Sequence, residues 1–321
     1  MKLGVVVLNW NGRDVTPRCL DSLFASACPP QRIVVVDNAS TDGSADLIRG
    51  RYPQVVLIEN DSNLGFAEGN NVGIRYLLER EFELVLLLNN DAVVEPRCLC
   101  ELMRAAETDP AAAYGATIYE LKAPGRIWYA GGRISRLTLD ARHETGSVGG
   151  TTRPTEFVTG CCILFRAEAL RSVGLLDRDF FAYYEDVDWC LRARATGNRL
   201  VYVPGAVVRH DVSYSFGRLG DTSRGNFHPQ WARSRPLVLY LAYRNRLLLA
   251  RRHAHGKLTF LSLCARRIAR GGLHCALLTL LGRASQASAV ALGTLDGFQA
   301  SSRPARIARY LASGPRGGTT A

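Results

Sequence analysis

Four short apolar runs within the first 90 residues lack any alternation of polar and apolar positions. They are rich in Val, Ile and Leu and cover residues 4–8, 33–36, 55–58 and 84–88. A strand of this kind is buried on both faces, which is typical of a parallel sheet covered by helices. Stretches with helical spacing lie between most of the runs, at about 15–27, 44–51 and 68–81. The pattern therefore predicts an α/β fold with a doubly wound, mostly parallel sheet, helices on both faces and right-handed crossovers.

The middle of the chain is less regular. Residues 120–156 are rich in Gly and Arg, which predicts a loop or hairpin excursion from the sheet. A buried strand is predicted at 159–165, followed by a helix from about Ala167. A further apolar run at 200–208 leads directly to His210.

Polar side chains follow three of the predicted strands at the point where each strand ends. The clusters are Asn9-Trp10-Asn11-Gly12, Asp37-Asn38-Ala39-Ser40 and Asn89-Asn90-Asp91. Ligands of open α/β sheets bind at the carboxyl ends of the strands, so we expect these clusters to line one cleft. The alternative for each cluster is an Asx turn or a helix N-cap, which we favour for residues 40–42.

A second polar cluster lies within an aromatic segment at residues 180–189, where Glu185, Asp186 and Asp188 occupy three of four successive positions. Crowded carboxylates against apolar surface acquire raised pKa values unless a cation or a proton-transfer role compensates. They could equally open a solvated helix, whose N-terminal end favours acids. Taken with Asp91 and His210, the cluster indicates a metal-assisted transfer site. Arg192 follows Asp188 by four residues, which predicts a salt bridge on one helix face.

The positive charge of the chain is concentrated at its C-terminal end. From Arg224 onward there are 16 Lys and Arg residues and a single acid, whereas the preceding 223 residues carry 24 basic and 28 acidic residues. Amphipathic helices with Arg-rich faces are predicted at 237–252 and 257–270, and they could pack on the catalytic domain or lie on an anionic bilayer. Nucleic-acid readers interleave aromatic residues with basic ones, but here Leu and Ala fill those positions, so we predict a membrane surface and no nucleic acid.

Two absences complete the picture. No window reaches the ~20 uninterrupted apolar residues that a membrane-spanning helix needs. The nine cysteines include no CxxC pair. They are therefore expected to be buried, reduced residues in a cytosolic protein.

We predict three regions from these patterns. Residues 1–223 form the catalytic domain, which carries the candidate transfer site. Residues 224–310 form a basic amphipathic helical region, and residues 311–321 form a disordered tail.

Several motifs resemble those of the family 2 glycosyltransferases, in particular the branch that contains rhamnosyl- and galactofuranosyltransferases. The matching segments extend in order over roughly residues 3–250 and include 5–12, 35–44, 63–71, 88–91, 159–161, 174–177, 185–188 and 243–245. The resemblance implies a GT-A (Rossmann-like) fold and an enzyme that inverts the anomeric centre of a nucleotide sugar, with Mg²⁺ or Mn²⁺ as cofactor. It also implies that residues 1–110 bind the nucleotide sugar and that residues 111–223 form the acceptor and catalytic part.

The resemblance also implies roles for individual residues. Asp186 matches the catalytic base. Asp91 and His210 match metal ligands, although the family's DxD-type motif reads Asn-Asn-Asp here. The donor-binding positions are Asn9, Asp37, Asn38, Asn63, Gly65, Asn70 and Asn90. The acceptor cleft is expected to include Gly160, Glu185 and Trp189.

By the same resemblance, the expected reaction moves one sugar from a nucleotide-diphosphate donor to a hydroxyl of a lipid-linked saccharide in bacterial cell-envelope synthesis. The first expectation for the donor is dTDP-L-rhamnose. The alternatives are a UDP-hexose or galactofuranose donor, or a non-catalytic protein that only binds nucleotide sugars. The expected location is the cytoplasmic, inner face of the plasma membrane, with the protein bound peripherally.

Overall fold

The computed structural model describes residues 1–146, 149–211, 235–299 and 304–312. The chain divides into two compact units, one of Met1–Ser135 with Asp140–Ser215 and one of Arg136–Leu139 with Phe216–Ala321. The predicted domain boundary at 223/224 lies outside the described residues, as does all but the first two residues of the predicted tail.

The first unit contains a ten-stranded sheet. Its strands are β1 (Leu3–Asn9), β2 (Arg32–Asp37), β3 (Val56–Glu59), β4 (Leu84–Asn89), β5 (Ala92–Val94), β6 (Ala113–Glu120), β7 (Ile127–Tyr129), β10 (Arg153–Thr155), β11 (Cys162–Arg166) and β12 (Leu200–His210). The main order is β10-β12-β6-β11-β4-β1-β2-β3, while β5 pairs with β12 and β7 with β6. The remaining strands, β8 (Gly132–Ile134) and β9 (Ala141–His143), pair with each other.

The four predicted parallel strands are confirmed. β1 pairs in parallel with both β2 and β4, and β3 extends the sheet beyond β2. The central residues of β1, β2 and β4 are buried, as expected for strands in which polar and apolar residues do not alternate. The run at 159–165 also forms a strand, but β11 is antiparallel to both of its neighbours. The sheet is therefore mostly, but not wholly, parallel.

Helices cover the sheet at nearly the predicted positions. In chain order they are α1 (Thr16–Phe24), α2 (Ser44–Arg51), α3 (Gly65–Leu78), α4 (Cys98–Thr108), α5 (Ala167–Val173), a short 3₁₀ helix (Arg178–Phe180) and α6 (Glu185–Ala195). α3 begins three residues before the predicted start, at Gly65, which takes a left-handed conformation (φ 82°) that glycine adopts without strain. The predicted excursion at 120–156 consists of the short strands β7 to β10 and their connections.

One prediction about the cysteines is wrong. Cys28, in the loop after α1, and Cys100, in α4, form a disulfide across 72 residues of sequence. The other seven cysteines are free, and six of them are buried as expected. The two bonded residues share no recognisable spacing motif, so only the tertiary structure reveals their proximity.

The second unit consists of helices in its described part: α7 (Pro236–His253), α8 (Lys257–Leu280), α9 (Ala284–Phe298) and α10 (Pro304–Ala312). Buried polar contacts join them, since Tyr240 donates a hydrogen bond to Asp296 (2.8 Å) and Arg306 forms an ion pair with the same carboxylate (2.6 Å). None of the helices that the structure describes is long and apolar enough to cross a membrane.

Helix α3 is fastened to the segment that leads to α6 through one buried side chain. The amide of Asn71 accepts a hydrogen bond from the backbone N–H of Leu176 (3.1 Å) and donates one to the carbonyl of the same residue (2.7 Å). Asn71 is 3% exposed, so neither backbone group of Leu176 can exchange this partner for water. These two hydrogen bonds thereby hold α3 against the segment that precedes α6.

We predict that Asn71→Ala lowers the free energy of unfolding by about 3 kcal/mol, because it leaves two buried backbone groups unpaired. Asn71→Asp should also destabilise, since its second oxygen would face the Leu176 carbonyl. Urea unfolding measures both. Asn198→Ala, which removes only an exposed contact to Thr196, is the matched control. Equal stability of Asn71→Ala and this control would contradict the assignment.

Candidate active site

The strand-end clusters come together at one edge of the sheet, as predicted. The register of β1 places Asn9 beside Asp37 of β2, and Leu8 beside Asn89 of β4. Asn9 donates hydrogen bonds to Asp37 (2.6 Å) and Ser44 (2.8 Å). Its side-chain oxygen accepts one from Thr16 (2.7 Å). Asn9 is therefore a fully buried organiser of this edge, and its amide is already engaged within the protein.

Asp37 and Asn90 belong to the same network. The carboxylate of Asp37 accepts hydrogen bonds from the backbone N–H (2.9 Å) and the hydroxyl (2.7 Å) of Ser40. Asp37 thus closes an Asx-type turn at residues 37–40, the alternative considered for each cluster. The turn expected for residues 40–42 is formed by Asp42, whose carboxylate accepts a hydrogen bond from the Ser44 N–H (3.0 Å). Asn90 donates to the hydroxyl of Thr16 (3.0 Å). These contacts fix the loops around the strand ends and leave Trp10, 40% exposed, at their surface.

Asn38 ties the second strand to the start of α3. Its amide nitrogen donates to the carbonyl of Gly65 (2.9 Å) and to the side chain of Asn63 (3.2 Å). Its oxygen accepts from Asn60 (2.8 Å). Asn38 is 1% exposed, so its hydrogen bonds fix the segment at residues 60–65 from inside the protein. Asn63, which is partly exposed, also accepts from the backbone N–H of Gly65 (2.8 Å).

Gly65 and Asn70 lie where α3 meets the loop before α6. A Cβ at Gly65 would be 2.5 Å from the carbonyl oxygen of Phe181, so any side chain there would displace this loop. That carbonyl accepts a hydrogen bond from Ala67 N–H (3.1 Å) in the first turn of α3. Asn70 is buried and donates to the Phe66 carbonyl (2.9 Å). The predicted donor segment is therefore in direct contact with the predicted catalytic loop.

Asp91 and His210 form a buried pair. Antiparallel pairing of β5 with β12 sets His210 opposite Ala92, the residue after Asp91. Oδ1 of Asp91 lies 3.1 Å from Nε2 of His210, and both side chains have no exposed surface. Neither ring nitrogen of His210 has a hydrogen-bond partner among the described residues. A buried imidazole with unsatisfied nitrogens next to a carboxylate is a donor set that suits a divalent first-row cation.

The pair by itself is an incomplete coordination sphere. No group of three or more His, Cys, Asp or Glu side chains that could hold a metal occurs in the described part of the chain. Hard cations take six or more ligands, and substrate phosphates commonly supply several of them. The residues present therefore fit a cation that binds together with a diphosphate.

Asp186 opens α6 and is held by backbone N–H groups. Its carboxylate accepts hydrogen bonds from Gly160 (2.8 Å) and Val187 (2.8 Å), while part of the side chain remains exposed. Desolvation in the site raises the pKa of Asp186, and the two backbone hydrogen bonds oppose that rise. The neighbouring Glu185 is 5% exposed, and burial, with a further contribution from the charge of Asp186, raises its pKa well above the usual range.

The backbone of residues 160–161 joins the acid to the buried pair. Gly160 N–H binds Asp186, and the carbonyl of the next residue, Cys161, accepts a hydrogen bond from Asn89 N–H (2.9 Å), two residues before Asp91. Burial raises the pKa of the Cys161 thiol, and the charges of Asp91 and Asp186 add to that rise. The carboxylates of Asp91 and Asp186 are thus both close to the side chain of Cys161.

The loop before α6 stores backbone strain. Phe181, Tyr183 and Tyr184 have φ values of 63°, 71° and 74°, in the region that L side chains rarely adopt. Such conformations cost on the order of 1–3 kcal/mol each and persist where the surroundings enforce them. Here the Phe181 carbonyl is fixed by α3, and the Tyr184 carbonyl accepts from Asp188 N–H (2.8 Å). Concentrated strain beside an acid of raised pKa is typical of an active site.

Comparison with known families agrees with this geometry. Residues 2–219, more than half of the chain, match the family described as glycosyltransferase like family 2. The chain belongs to this glycosyltransferase family.

Relatives and solved structures narrow the branch and the fold. The glycosyltransferase is 29% identical over 241 residues to the N-acetylglucosaminyl-diphospho-decaprenol L-rhamnosyltransferase of Mycobacterium tuberculosis, covering 67% of this chain and 78% of that protein. It is 25% identical over 181 residues to the dTDP-rhamnosyl transferase RfbF of Shigella flexneri, covering 56% and 60%. The mannosyltransferase PcManGT of Pyrobaculum calidifontis, solved with GDP-Man and Mn²⁺, superposes with a TM-score of 0.55 at 18% identity, over 98% of this chain and 79% of that one. The fold is thus GT-A, in a rhamnosyltransferase-like branch.

One predicted acceptor residue of the glycosyltransferase lies in the core. Trp189 has no exposed surface, packs edge-on against Phe165 and donates its indole N–H to the Gly174 carbonyl (2.8 Å). Trp189 therefore anchors α6 in the core, and with no exposed surface it cannot contact an acceptor. The predicted salt bridge between Asp188 and Arg192 is confirmed at 2.8 Å.

The structure adds residues to the site that sequence reasoning missed. Trp128 of β7 packs against His210 with ring centroids 5.0 Å apart. Lys122, in the turn before β7, forms an ion pair (3.0 Å) with Asp211, the residue after His210. Both come from the excursion at 120–156, where the sequence offers weak periodicity and hence no signal of where side chains point. A lone Trp in a Gly- and Arg-rich segment was the only hint.

We predict that Glu185→Gln raises stability at neutral and alkaline pH. Because folding raises the pKa of Glu185, its carboxyl group stays protonated in the native state, whereas the unfolded chain releases this proton above about pH 4.3. The parent protein therefore loses stability as the pH rises above that value. Gln does not titrate, so the advantage of the variant should grow between about pH 5 and pH 8.

Urea unfolding across that pH range measures the effect. Glu79→Gln, at an exposed helix end, is the control. If the difference between Glu185→Gln and the parent does not grow with pH, the buried carboxyl does not carry the assigned penalty.

Proposed function

We propose that this glycosyltransferase moves one sugar from a nucleotide-diphosphate donor to a hydroxyl group, with inversion at the anomeric carbon and with help from a divalent cation. The observation that carries the proposal is the backbone bridge at residues 160–161. It holds a partly exposed acid of raised pKa, Asp186, close to the buried pair Asp91 and His210. A single displacement needs these two elements on opposite sides of the reacting carbon.

Asp186 acts as the base in this proposal. It takes the proton of the acceptor hydroxyl as the acceptor oxygen forms its bond to the anomeric carbon. The bond from that carbon to the diphosphate oxygen breaks, and its electron pair leaves with the nucleoside diphosphate. Desolvation makes the Asp186 carboxylate more basic than an exposed aspartate, which favours proton removal near neutral pH.

Asp91 and His210 would hold the cation, Mg²⁺ or Mn²⁺, with the donor diphosphate completing the coordination. A cation bound there would neutralise the negative charge that develops on the departing diphosphate. Imidazole is a better ligand for Mn²⁺ than for Mg²⁺, so His210 favours Mn²⁺. The GDP-Man and Mn²⁺ complex of PcManGT is in keeping with this proposal.

The proposed donor is dTDP-L-rhamnose, and the proposed acceptor is a saccharide on a polyprenyl-diphosphate lipid. Two relatives are named for rhamnosyl transfer, and one of these names specifies a decaprenol-linked acceptor. A lipid-linked acceptor would bring the enzyme to the inner, cytoplasmic face of the plasma membrane.

A galactofuranose donor is the second candidate. The specific support is the galactofuranosyltransferase GlfT1 of Mycolicibacterium smegmatis, which is 25% identical over 187 residues, covering 57% of this chain and 62% of that protein. A panel of dTDP-rhamnose, UDP-galactofuranose and UDP-hexoses tested by NMR would distinguish the candidates. Turnover of none of them, with donor binding retained, would favour a non-catalytic role.

We predict that Asp186→Asn lowers transfer at least 10³-fold and leaves donor affinity within about threefold, because the amide cannot accept a proton in the pH range of catalysis. Product formation by NMR and donor binding by calorimetry measure the two effects separately. Asp46→Asn, at an exposed site, is the matched control. Loss of both binding and transfer would show that Asp186 is structural.

We predict that His210→Gln and Asp91→Asn each weaken Mn²⁺ binding in the presence of nucleoside diphosphate by about 10–100-fold, a loss typical of disturbed metal sites. Electron paramagnetic resonance of free Mn²⁺ gives the readout without any need for turnover. Trp128→Phe, which keeps an aromatic ring near His210, tests local packing alone. Unchanged Mn²⁺ affinity in both site variants would place the cation elsewhere.

A further inference from the structure

Helix α8 exposes apolar side chains where a water-facing helix carries polar ones. Six large apolar residues are between 41% and 85% exposed along its length: Leu258, Leu261, Ile268, Leu273, Leu277 and Leu280. Small residues fill the other uncharged exposed positions, namely Ser262, Ala265, Ala269, Gly272, Ala276 and Thr279. The exposed positions of α8 carry only two charges, Lys257 and Arg266. We name this surface the α8 face.

The opposite side of the same helix is already covered. Leu263, Cys264 and Leu278 are buried, and His274 accepts or donates a hydrogen bond with Tyr243 of α7 at 2.8 Å. This covered side, which also includes Arg267 and Gly271, packs within the unit, whereas the α8 face is left exposed. Contiguous exposed apolar surface of this kind marks an interaction site, because its hydration is unfavourable.

Charge decides between the possible occupants. The described residues of the second unit contain 13 Lys and Arg residues and one acid, Asp296. That acid is 1% exposed and paired with Arg306, so it offers no negative surface. A second copy docked on the α8 face would bring two strongly basic units together, which like-charge repulsion opposes. An anionic lipid surface has the complementary charge.

We propose that the α8 face is a membrane-docking surface that lies in the interface of an anionic bilayer. Its leucines and Ile268 enter the boundary between headgroups and acyl chains, and Lys257 and Arg266 contact lipid phosphates. At 1.5 Å per residue, the 24 residues of α8 give an apolar strip about 36 Å long. This inference assigns the predicted membrane contact to one face of one helix.

The experiment is sedimentation of the full chain with phosphatidylcholine vesicles, with and without about one-third phosphatidylglycerol, at low and high salt. We expect binding to the anionic vesicles that weakens as salt is raised. Leu261→Ser/Leu273→Ser should lower the partition coefficient about tenfold or more, because two leucine side chains that enter the bilayer are removed. Lys257→Gln/Arg266→Gln should weaken binding to anionic vesicles and reduce its salt dependence.

The control is Phe24→Ser/Leu137→Ser, which removes two exposed apolar side chains outside α8 and should leave vesicle binding unchanged. Thermal unfolding verifies that every variant is folded. Equal binding by the α8 variant and the control would overturn the proposal. So would a parent dimer, seen by sedimentation velocity, that the α8 variant abolishes without any vesicle binding. Vesicle binding involves neither donor nor Asp186, so this test is independent of the proposed reaction.

Discussion

The hydrogen bond from the backbone N–H of Gly160 to Asp186 is the contact on which the site depends. It fixes the acid at the start of α6, while the adjoining Cys161 carbonyl is bound to the end of β4, just before Asp91. Asp186 and Asp91 come from segments almost 100 residues apart in sequence, and two consecutive peptide groups link these segments. A side chain at Gly160 would press on the ring of Phe66 (3.2 Å) in α3, so the donor segment also packs against this bridge.

Electrostatics gives this arrangement its chemical character. Glu185 and Asp186 are adjacent acids with raised pKa values, and burial is the first cause for both. They differ in access, because Glu185 is buried whereas Asp186 keeps exposed surface. Of the two, only Asp186 is open to a ligand from solvent, as its proposed role as base requires. The charge of Asp186 opposes ionisation of Glu185, whereas the backbone N–H groups stabilise the Asp186 anion and lower its pKa.

Much of the catalytic fold could be predicted from the sequence, because buried parallel strands leave a strong apolar signal and their polar ends are easy to locate. The gathering of Asn9, Asp37 and Asn89 follows from parallel pairing alone. The hydrogen-bond partners of individual side chains were harder to predict. Asn38 matches a donor-binding position, but its hydrogen bonds with Asn60, Asn63 and Gly65 could not be predicted. Partners of that kind come from distant segments, so local pattern carries no trace of them. The Cys28–Cys100 disulfide and the placement of Trp128 on His210 escaped prediction for the same reason.

The most direct test of the central claim is the anomeric configuration of the product formed by the purified protein with Mn²⁺, a donor from the sugar-nucleotide panel and a lipid-linked acceptor. The proposed roles of Asp186 as base and of Asp91 and His210 as cation ligands predict a product anomer opposite to that of the donor, formed only when the cation is present. A product that retains the donor's configuration, or transfer that proceeds equally well after chelation of the metal, would contradict a single displacement at this site.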